Sequence, residues 1–269
     1  MTLKEATEIL AKAGIESAVA DARTIFSELG GTPRHELPFP DTHSESPEVI
    51  SAIKRRAKRE PLQYIIGTVG FYRETYRVTP DCLIPRGDTE VLVDFAVKSL
   101  PCGARFLDLC TGSGCVAIST LANTEGTSAL AADISKDALS VATENAALNG
   151  VDRRIEFAEL DVMKTVAVGE FFAILSNPPY VKDEVYKSLS PEIYYEPKAA
   201  FVGGEDGADF YRIITKSYRN RIAKDGFIAF EIGFDQREVL EKIADDNAMS
   251  LEIIKDLSGL DRVAVLRRN

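Results

Sequence analysis

The chain has 269 residues, of which 45% are hydrophobic and 28% charged. That length suits one large domain or two modest ones, and that composition supports a sizeable core and excludes wholesale disorder. Its net charge of −10 does not draw the molecule as a whole onto DNA or an anionic membrane.

The first part reads as helices. Thr2 and Glu5 form a capping box that opens a helix with Leu3, Ile9 and Leu10 on its apolar side, and Gly14 ends it. Ser17 to Leu29 is a second amphipathic segment closed by Gly30 and Gly31. Pro33, Pro38 and Pro40 mark residues 32–45 as a loop. Ser46 is the N-cap of a third helix, with Pro47 at its first position; the helix runs to about Arg59, and Pro61 stops it. Its basic cluster, Lys54, Arg55, Arg56, Lys58 and Arg59, is expected to be a solvated face; the sharper reading is contact with an acidic partner surface or ribosomal RNA. Residues 63–85 form a linker with the β-like runs 63–66, 68–72 and 76–78, expected to make a small hairpin between two domains.

Beyond residue 85 strands and helices alternate. Strands are expected at 105–108, 129–133, 155–157, 171–175, 227–232, 251–255 and 263–266. Helices are expected after Gly114, over 136–148, near 210–223 and over 236–244. An unusually long loop spans about 178–205. This order predicts an α/β fold with a mostly parallel, doubly wound sheet that binds ligands at the carboxyl ends of its strands. The resulting division is a helical domain over 1–62, a hairpin linker over 63–85 and an α/β domain over 86–269.

Cys82, Cys102, Cys110 and Cys115 form no C-x-x-C pair, and only His35 and His43 could join them at a metal. No metal site is expected, and reduced thiols point to a cytoplasmic protein. The first residues show no signal peptide, and no apolar run approaches the ~20 residues of a membrane span.

Two motifs carry chemistry. Asp108 to Gly114 lies where the first strand of the α/β domain turns into a helix, and Gly112 and Gly114 let the backbone pass close to a ligand. The next strand ends in Asp133, whose carboxylate can accept hydrogen bonds from both ribose hydroxyls of an adenosine. The loop alone suits S-adenosylmethionine, a dinucleotide, or a plain tight turn. The leading Asp108 favours S-adenosylmethionine, whose methionine amino group such a carboxylate can hold through its surrounding contacts. The second motif, Asn177-Pro178-Pro179-Tyr180, follows an apolar strand. A planar NH2 nitrogen is a poor nucleophile because its lone pair is delocalised. The Asn177 side-chain oxygen and the Pro178 carbonyl can each accept one of its N–H groups, and so favour the positive charge that develops as it attacks a methyl group. Proline adds no competing donor, and Tyr180 can stack on the planar group. Asn177, Pro178 and Tyr180 are therefore the candidate catalytic residues.

Taken together, these residues resemble the release factor glutamine methyltransferases over nearly the whole chain. The resemblance includes Asp21-Ala-Arg23, Pro61 to Gly67, Leu83 to Glu90, the glycine loop, Asp133 to Ser135, Ser176 to Tyr180, Glu196-Pro197, Asp206-Gly207, Glu231 to Gly233 and Asp256 to Gly259. It implies a Rossmann-like methyltransferase domain behind a small helical substrate-recognition domain. The implied reaction is S-adenosylmethionine-dependent methylation of the side-chain amide of the glutamine in the Gly-Gly-Gln motif of peptide chain release factors, which act in translation termination. It implies cofactor contacts at Cys110, Thr111, Gly112, Ser113, Gly114, Asp133, Asp161, Val162 and Asn177, and places the substrate glutamine on Asn177, Pro178, Pro179 and Tyr180. Two positions depart from the pattern: Gly87 stands for a proline before the first helix of the catalytic domain, and Cys110 for a glycine of the loop. N6-adenine DNA methylation is the alternative, since the same tetrapeptide serves that nitrogen. Against it, the chain lacks a recognisable basic groove and a base-reading domain. A non-catalytic nucleotide-binding module would have no need of the tetrapeptide.

Overall fold

Thr2 accepts from the Glu5 amide and Glu5 from the Thr2 amide, so the chain begins with the reciprocal cap its spacing predicts. The structure, a computed structural model, describes residues 1–33 and 35–269 and divides into two units, 1–68 with 190–195, and 69–189 with 196–269.

The first unit is helical: α1 (Leu3–Lys12), α2 (Ala18–Glu28), α3 (Pro47–Arg56) and α4 (Leu62–Ile66). Leu10, Ile25, Phe26, Val49 and Ile53 are fully buried in its core. Residues 63–66, expected as extended, are helical. Pro61 precedes the turn, Gly67 closes it at φ +84°, and Ile65 buries into the same core. Five residues are too few for periodicity to separate helix from strand, and burial overrides the β preference of the two isoleucines.

The basic cluster of α3 is only in part a solvated face. Arg56 shares the inward side of the helix with Val49 and Ile53, and its Nε donates to Asp21 at 2.7 Å. Arg56 and Arg59 both reach Glu192, at 3.2 and 2.9 Å, and Arg55 pairs with Glu60. Lys54 and Lys58 are exposed.

In the second unit β1 (Thr68–Phe71) and β2 (Glu74–Arg77) form the expected hairpin, and α5 (Glu90–Ser99) follows a short 3-10 turn over 87–89. The remaining elements are β3 (Arg105–Leu109), α6 (Cys115–Ala122), β4 (Ser128–Asp133), α7 (Lys136–Leu148), β5 (Ile155–Glu159), β6 (Phe171–Ser176), α8 (Asp183–Tyr186), α9 (Asp209–Tyr218), β7 (Ile222–Glu231), α10 (Arg237–Asp246), β8 (Met249–Lys255) and β9 (Asp261–Arg268). The helix expected to reach residue 223 stops at Tyr218, because Ile222 already pairs with Phe171 at the start of β7.

The seven long strands lie in the order β5-β4-β3-β6-β7-β9-β8, parallel except for β9, which runs antiparallel to both neighbours. Alternate residues serve two cores. Phe106, Ala131, Ala173 and Ala229 pack with α5 and α6, whereas Leu107, Ile174, Ile228 and Phe230 pack with α9 and α10. Both faces are covered, as a mainly parallel sheet requires. Strand order reverses between β3 and β6, so the crevice for a ligand lies at their carboxyl ends.

Candidate active site

The pairing of Leu109 with Ser176 sets Cys110 and Asn177 side by side at that crevice. Ser176 Oγ donates to the Leu109 carbonyl at 2.6 Å and locks the two strand ends together.

The loop after β3 is a tight cradle. Cys110, Gly112 and Gly114 all have positive φ, at +59°, +54° and +83°. At Gly114 a Cβ would lie 2.7 Å from Ile118 Cδ1 and 3.1 Å from Ala142 Cβ, so close packing adds to the positive φ in favouring glycine there. At Gly112 a Cβ would meet nothing within 4 Å, which is open space over the loop. Cys110 adopts a conformation that L side chains rarely take, the physical reason a glycine suits its position. Asn145, buried on α7, donates to the Ser113 and Arg77 carbonyls and so ties the loop to the hairpin.

Asp108 braces this loop from beneath. Its Oδ2 accepts from Thr111 Oγ1 at 2.5 Å and from the Ala117 amide at 3.2 Å, while its Oδ1 is buried with no hydrogen-bond partner. Burial pushes its carboxyl up to about 7. Asp133, at the end of β4, accepts from the Gly112 amide at 2.8 Å through Oδ2 and from the Ser135 amide at 3.0 Å through Oδ1. Each oxygen keeps a lone pair for a further donor. Burial raises the Asp133 pKa, and the Ser135 and Gly112 amides oppose the shift. Leu160 N–H donates to the Asp133 carbonyl, which sets Val162, buried, and Asp161 after β5 on the same side of the loop. Asp161 pairs with Lys164 at 2.7 Å and accepts from the Met163 amide. An open glycine edge, a buried unpartnered carboxyl oxygen and a carboxylate with spare lone pairs fit a ligand with a ribose and an amino group.

On the other side of the crevice, Asn177 Nδ2 donates to Thr89 Oγ1 at 3.1 Å. Pro178 and Pro179 are buried. The backbone of the tetrapeptide is packed so closely that a Cβ at Gly203 would sit 2.4 Å from the Pro179 carbonyl oxygen, and one at Gly207 2.2 Å from that of Tyr180. Gln236 Nε2 donates to the Tyr180 and Gly207 carbonyls. Tyr180 OH donates to Glu231 Oε1 at 3.2 Å. Burial raises the Tyr180 hydroxyl well above the usual range, so it stays protonated. Glu231 is itself buried and pushed up to about 7. Glu196 accepts from the Ile84 amide at 3.0 Å and pairs with Arg86, which anchors the 84–86 segment.

The structure therefore brings together Asp108, the 110–114 loop, Asp133, Val162 and Asn177 to Tyr180. Asp161, next to Val162 in the chain, is engaged with Lys164 and the Met163 amide. The motifs alone did not single out Thr89, Glu231 and Gln236 as parts of this site. A charged residue inside the otherwise apolar run 227–232 was a signal for Glu231, and both Glu231 and Thr89 lie in stretches that carry the family resemblance; Gln236 carries no signal, because only the fold joins it to the tetrapeptide.

Residues 2–67 match the PrmC N-terminal domain and residues 88–198 the methyltransferase small domain. The chain is 40% identical to the release factor glutamine methyltransferase of Thermodesulfovibrio yellowstonii, across 86% of this chain and 85% of that protein. It is 36% identical to that of Agrobacterium fabrum, across 96% and 93%. Among solved structures, the ribosomal protein L11 methylase of Lactobacillus delbrueckii subsp. bulgaricus shares the fold, with a TM-score of 0.54 and 21% identity across 72% of this chain and 85% of that one. Conserved length, both domains and the identity lead to one assignment: the chain belongs to the release factor glutamine methyltransferase family.

Proposed function

We propose that this enzyme methylates the side-chain amide nitrogen of the glutamine in the Gly-Gly-Gln motif of peptide chain release factors. S-adenosylmethionine is its methyl donor and supplies an electrophilic methyl group when bound. The single observation that carries the reading is the pairing of Leu109 with Ser176, which sets the glycine loop and Asn177-Pro-Pro-Tyr in one crevice. DNA adenine methylation is not favoured, since the two release factor glutamine methyltransferases named above match this chain over 85% and 93% of their length.

On this reading each residue has a role. Asp133 accepts the ribose hydroxyls. Asp108 holds the 110–114 loop around the methionine end, and Val162 with Asp161 lies toward the base. Asn177 Oδ1 and the Pro178 carbonyl each accept one N–H of the glutamine amide. These fixed acceptors hold the nitrogen in line and stabilise the positive charge it gains, without reorganising during the step. Tyr180 stacks on the amide, and Pro179 keeps the turn rigid. The proton leaves to water after transfer. The helical unit recognises the release factor; Lys54 and Lys58 are the residues its basic cluster offers to an acidic surface. A cytoplasmic setting goes with this reading. Among the described residues no helix is long and apolar enough to cross a membrane.

The test is single-turnover methyl transfer at saturating S-adenosylmethionine, with release factor and duplex DNA as parallel substrates. Removing a preorganised acceptor with Asn177→Ala is expected to slow transfer to glutamine by about 10²–10³-fold. Transfer to adenine but not glutamine by the wild type refutes the substrate. A rate for Asn177→Ala within a few-fold of wild type refutes the role of the residue.

A further inference from the structure

Gln236 stands immediately before α10, where short polar side chains usually cap the free amides of the first turn. Its side chain makes no such cap and is buried, with 4% of the residue exposed. It is spent on other stretches of the chain. Nε2 donates to the Tyr180 carbonyl at 3.3 Å and to the Gly207 carbonyl at 3.2 Å. Oε1 accepts from the Gly233 amide at 2.8 Å and from the Tyr211 hydroxyl at 3.0 Å. Departures of this kind from local preference gather at functional sites.

The polarity of the partners leaves the carboxamide one orientation. A carbonyl only accepts and a backbone amide only donates. The NH2 must therefore face Tyr180 and Gly207, and the oxygen must face Gly233. Both hydrogens and the oxygen are then engaged. The bridge is needed because the two carbonyls converge: a Cβ at Gly207 would sit 2.2 Å from the Tyr180 carbonyl oxygen. Converging carbonyl oxygens repel one another unless a donor lies between them, and a buried acceptor left unpaired is costly. The Tyr211 hydroxyl also lies 3.0 Å from the Glu231 carbonyl, which ties this node to the end of β7.

The Tyr180 ring is thus held at both ends. Its hydroxyl donates to Glu231 Oε1, and its backbone carbonyl is fixed by Gln236. We propose that Gln236 is a positioning residue for methyl transfer: by bridging the Tyr180 and Gly207 carbonyls it sets the backbone at the Tyr180 end of the tetrapeptide, and with it the place where the ring meets the substrate amide. This rests on the reading of Tyr180 as the residue that stacks on that amide. The side-chain hydrogen bonds of Gln236 reach neither the 110–114 loop nor Asp133, so cofactor binding lies outside the role.

The test uses the full chain with release factor as substrate at saturating S-adenosylmethionine. Gln236→Glu keeps the shape and the accepting end. Ionised, it has no hydrogen to give, and protonated it has one, so at least one of the two carbonyls loses its donor. It is expected to lower kcat by about 10–100-fold, the scale of a misplaced reacting group, with KM for S-adenosylmethionine within about twofold of wild type. Gln236→Asn is one methylene short of the same partners and is a residue that helix starts accept readily; it should lose kcat likewise. Added to Tyr180→Ala, Gln236→Glu should cost no more than about a further twofold, since it acts through a ring already removed. A merely structural role would multiply the two losses, and that outcome overturns the proposal. Wild-type kcat in a folded Gln236→Glu enzyme overturns it too, and should that variant not fold, Gln236→Asn decides in the same way. If neither folds, Gln236 serves the fold and the proposal fails. Normal turnover by Tyr180→Ala would instead refute the stacking reading, whereas a slow Tyr180→Ala beside normal Gln236 variants refutes only the positioning role.

Discussion

Asp108 and Asp133 are carboxylates 25 residues apart in the chain that do different work because their surroundings differ. Asp133 has two spare lone pairs at the crevice, so Asp133→Ala should weaken S-adenosylhomocysteine binding by about 1.5–3 kcal/mol, the usual scale for hydrogen bonds to a charged group. Calorimetry measures this, and unchanged affinity would refute the role. Asp108 is sealed beneath the loop, and its pKa rises from 3.8 to about 7. The folded protein holds that proton more tightly than the unfolded chain. Its contribution to stability is therefore full below about 3.8 and is lost as pH rises through about 7. Glu231 acts with the same sign. The ligand-free enzyme should lose stability between pH ~4 and ~7, by something of the order of a few kcal/mol. Asp108→Asn should remove much of that slope in denaturation curves taken across the range. An unaltered slope would show that another group is responsible.

At the scale of the element, α7 runs over Lys136–Leu148 as expected, and its boundaries are local: Ser135 caps its start and Asn149-Gly150 follows its end. The turn at Gly87 is also local and yields a prediction. Residues 87–89 form a 3-10 turn, Arg86 before it is extended at φ −108° and ψ 142°, and a Cβ at Gly87 would meet nothing within 4 Å. Extended backbone is what proline demands of the residue before it, and a helical first position suits its ring. Gly87→Pro, the residue the family pattern leads one to expect, should raise stability by about 0.4–1 kcal/mol by restricting the unfolded chain. A lower Tm for the variant would show that the turn needs the freedom of glycine. By contrast α4 was illegible, since its helical state depends on burying Ile65 in a core that the local sequence does not display.

At the scale of the molecule, the helical unit has its own core and holds none of the residues assigned to chemistry. Removing residues 1–62 should leave binding of S-adenosylmethionine intact and make methylation of an intact release factor poor. Full activity after truncation would assign that unit another purpose. The division carries a feature no linear reading contains: residues 190–195 group with the helical unit, where Glu192 takes up Arg56 and Arg59. A basic run that reads as a solvated face thus becomes, for two of its five members, an internal ion-pair network.

Sequence by itself determined the β/α alternation, the glycine loop with Asp133, and the tetrapeptide with its chemistry. Each of these is written in neighbouring residues, as periodicity, as glycine at a turn, or as a carboxamide next to two prolines. Tertiary structure alone decided what surrounds them. Glu231, Thr89 and Gln236 meet the tetrapeptide only because β6 and β7 pair and the turn before α5 reaches the same crevice. Burial then raised the pKa of Asp108 and Glu231. Hydrogen bonds between distant residues and the loss of water around a carboxyl are properties of packing, and packing is a relation that no local stretch of chain encodes.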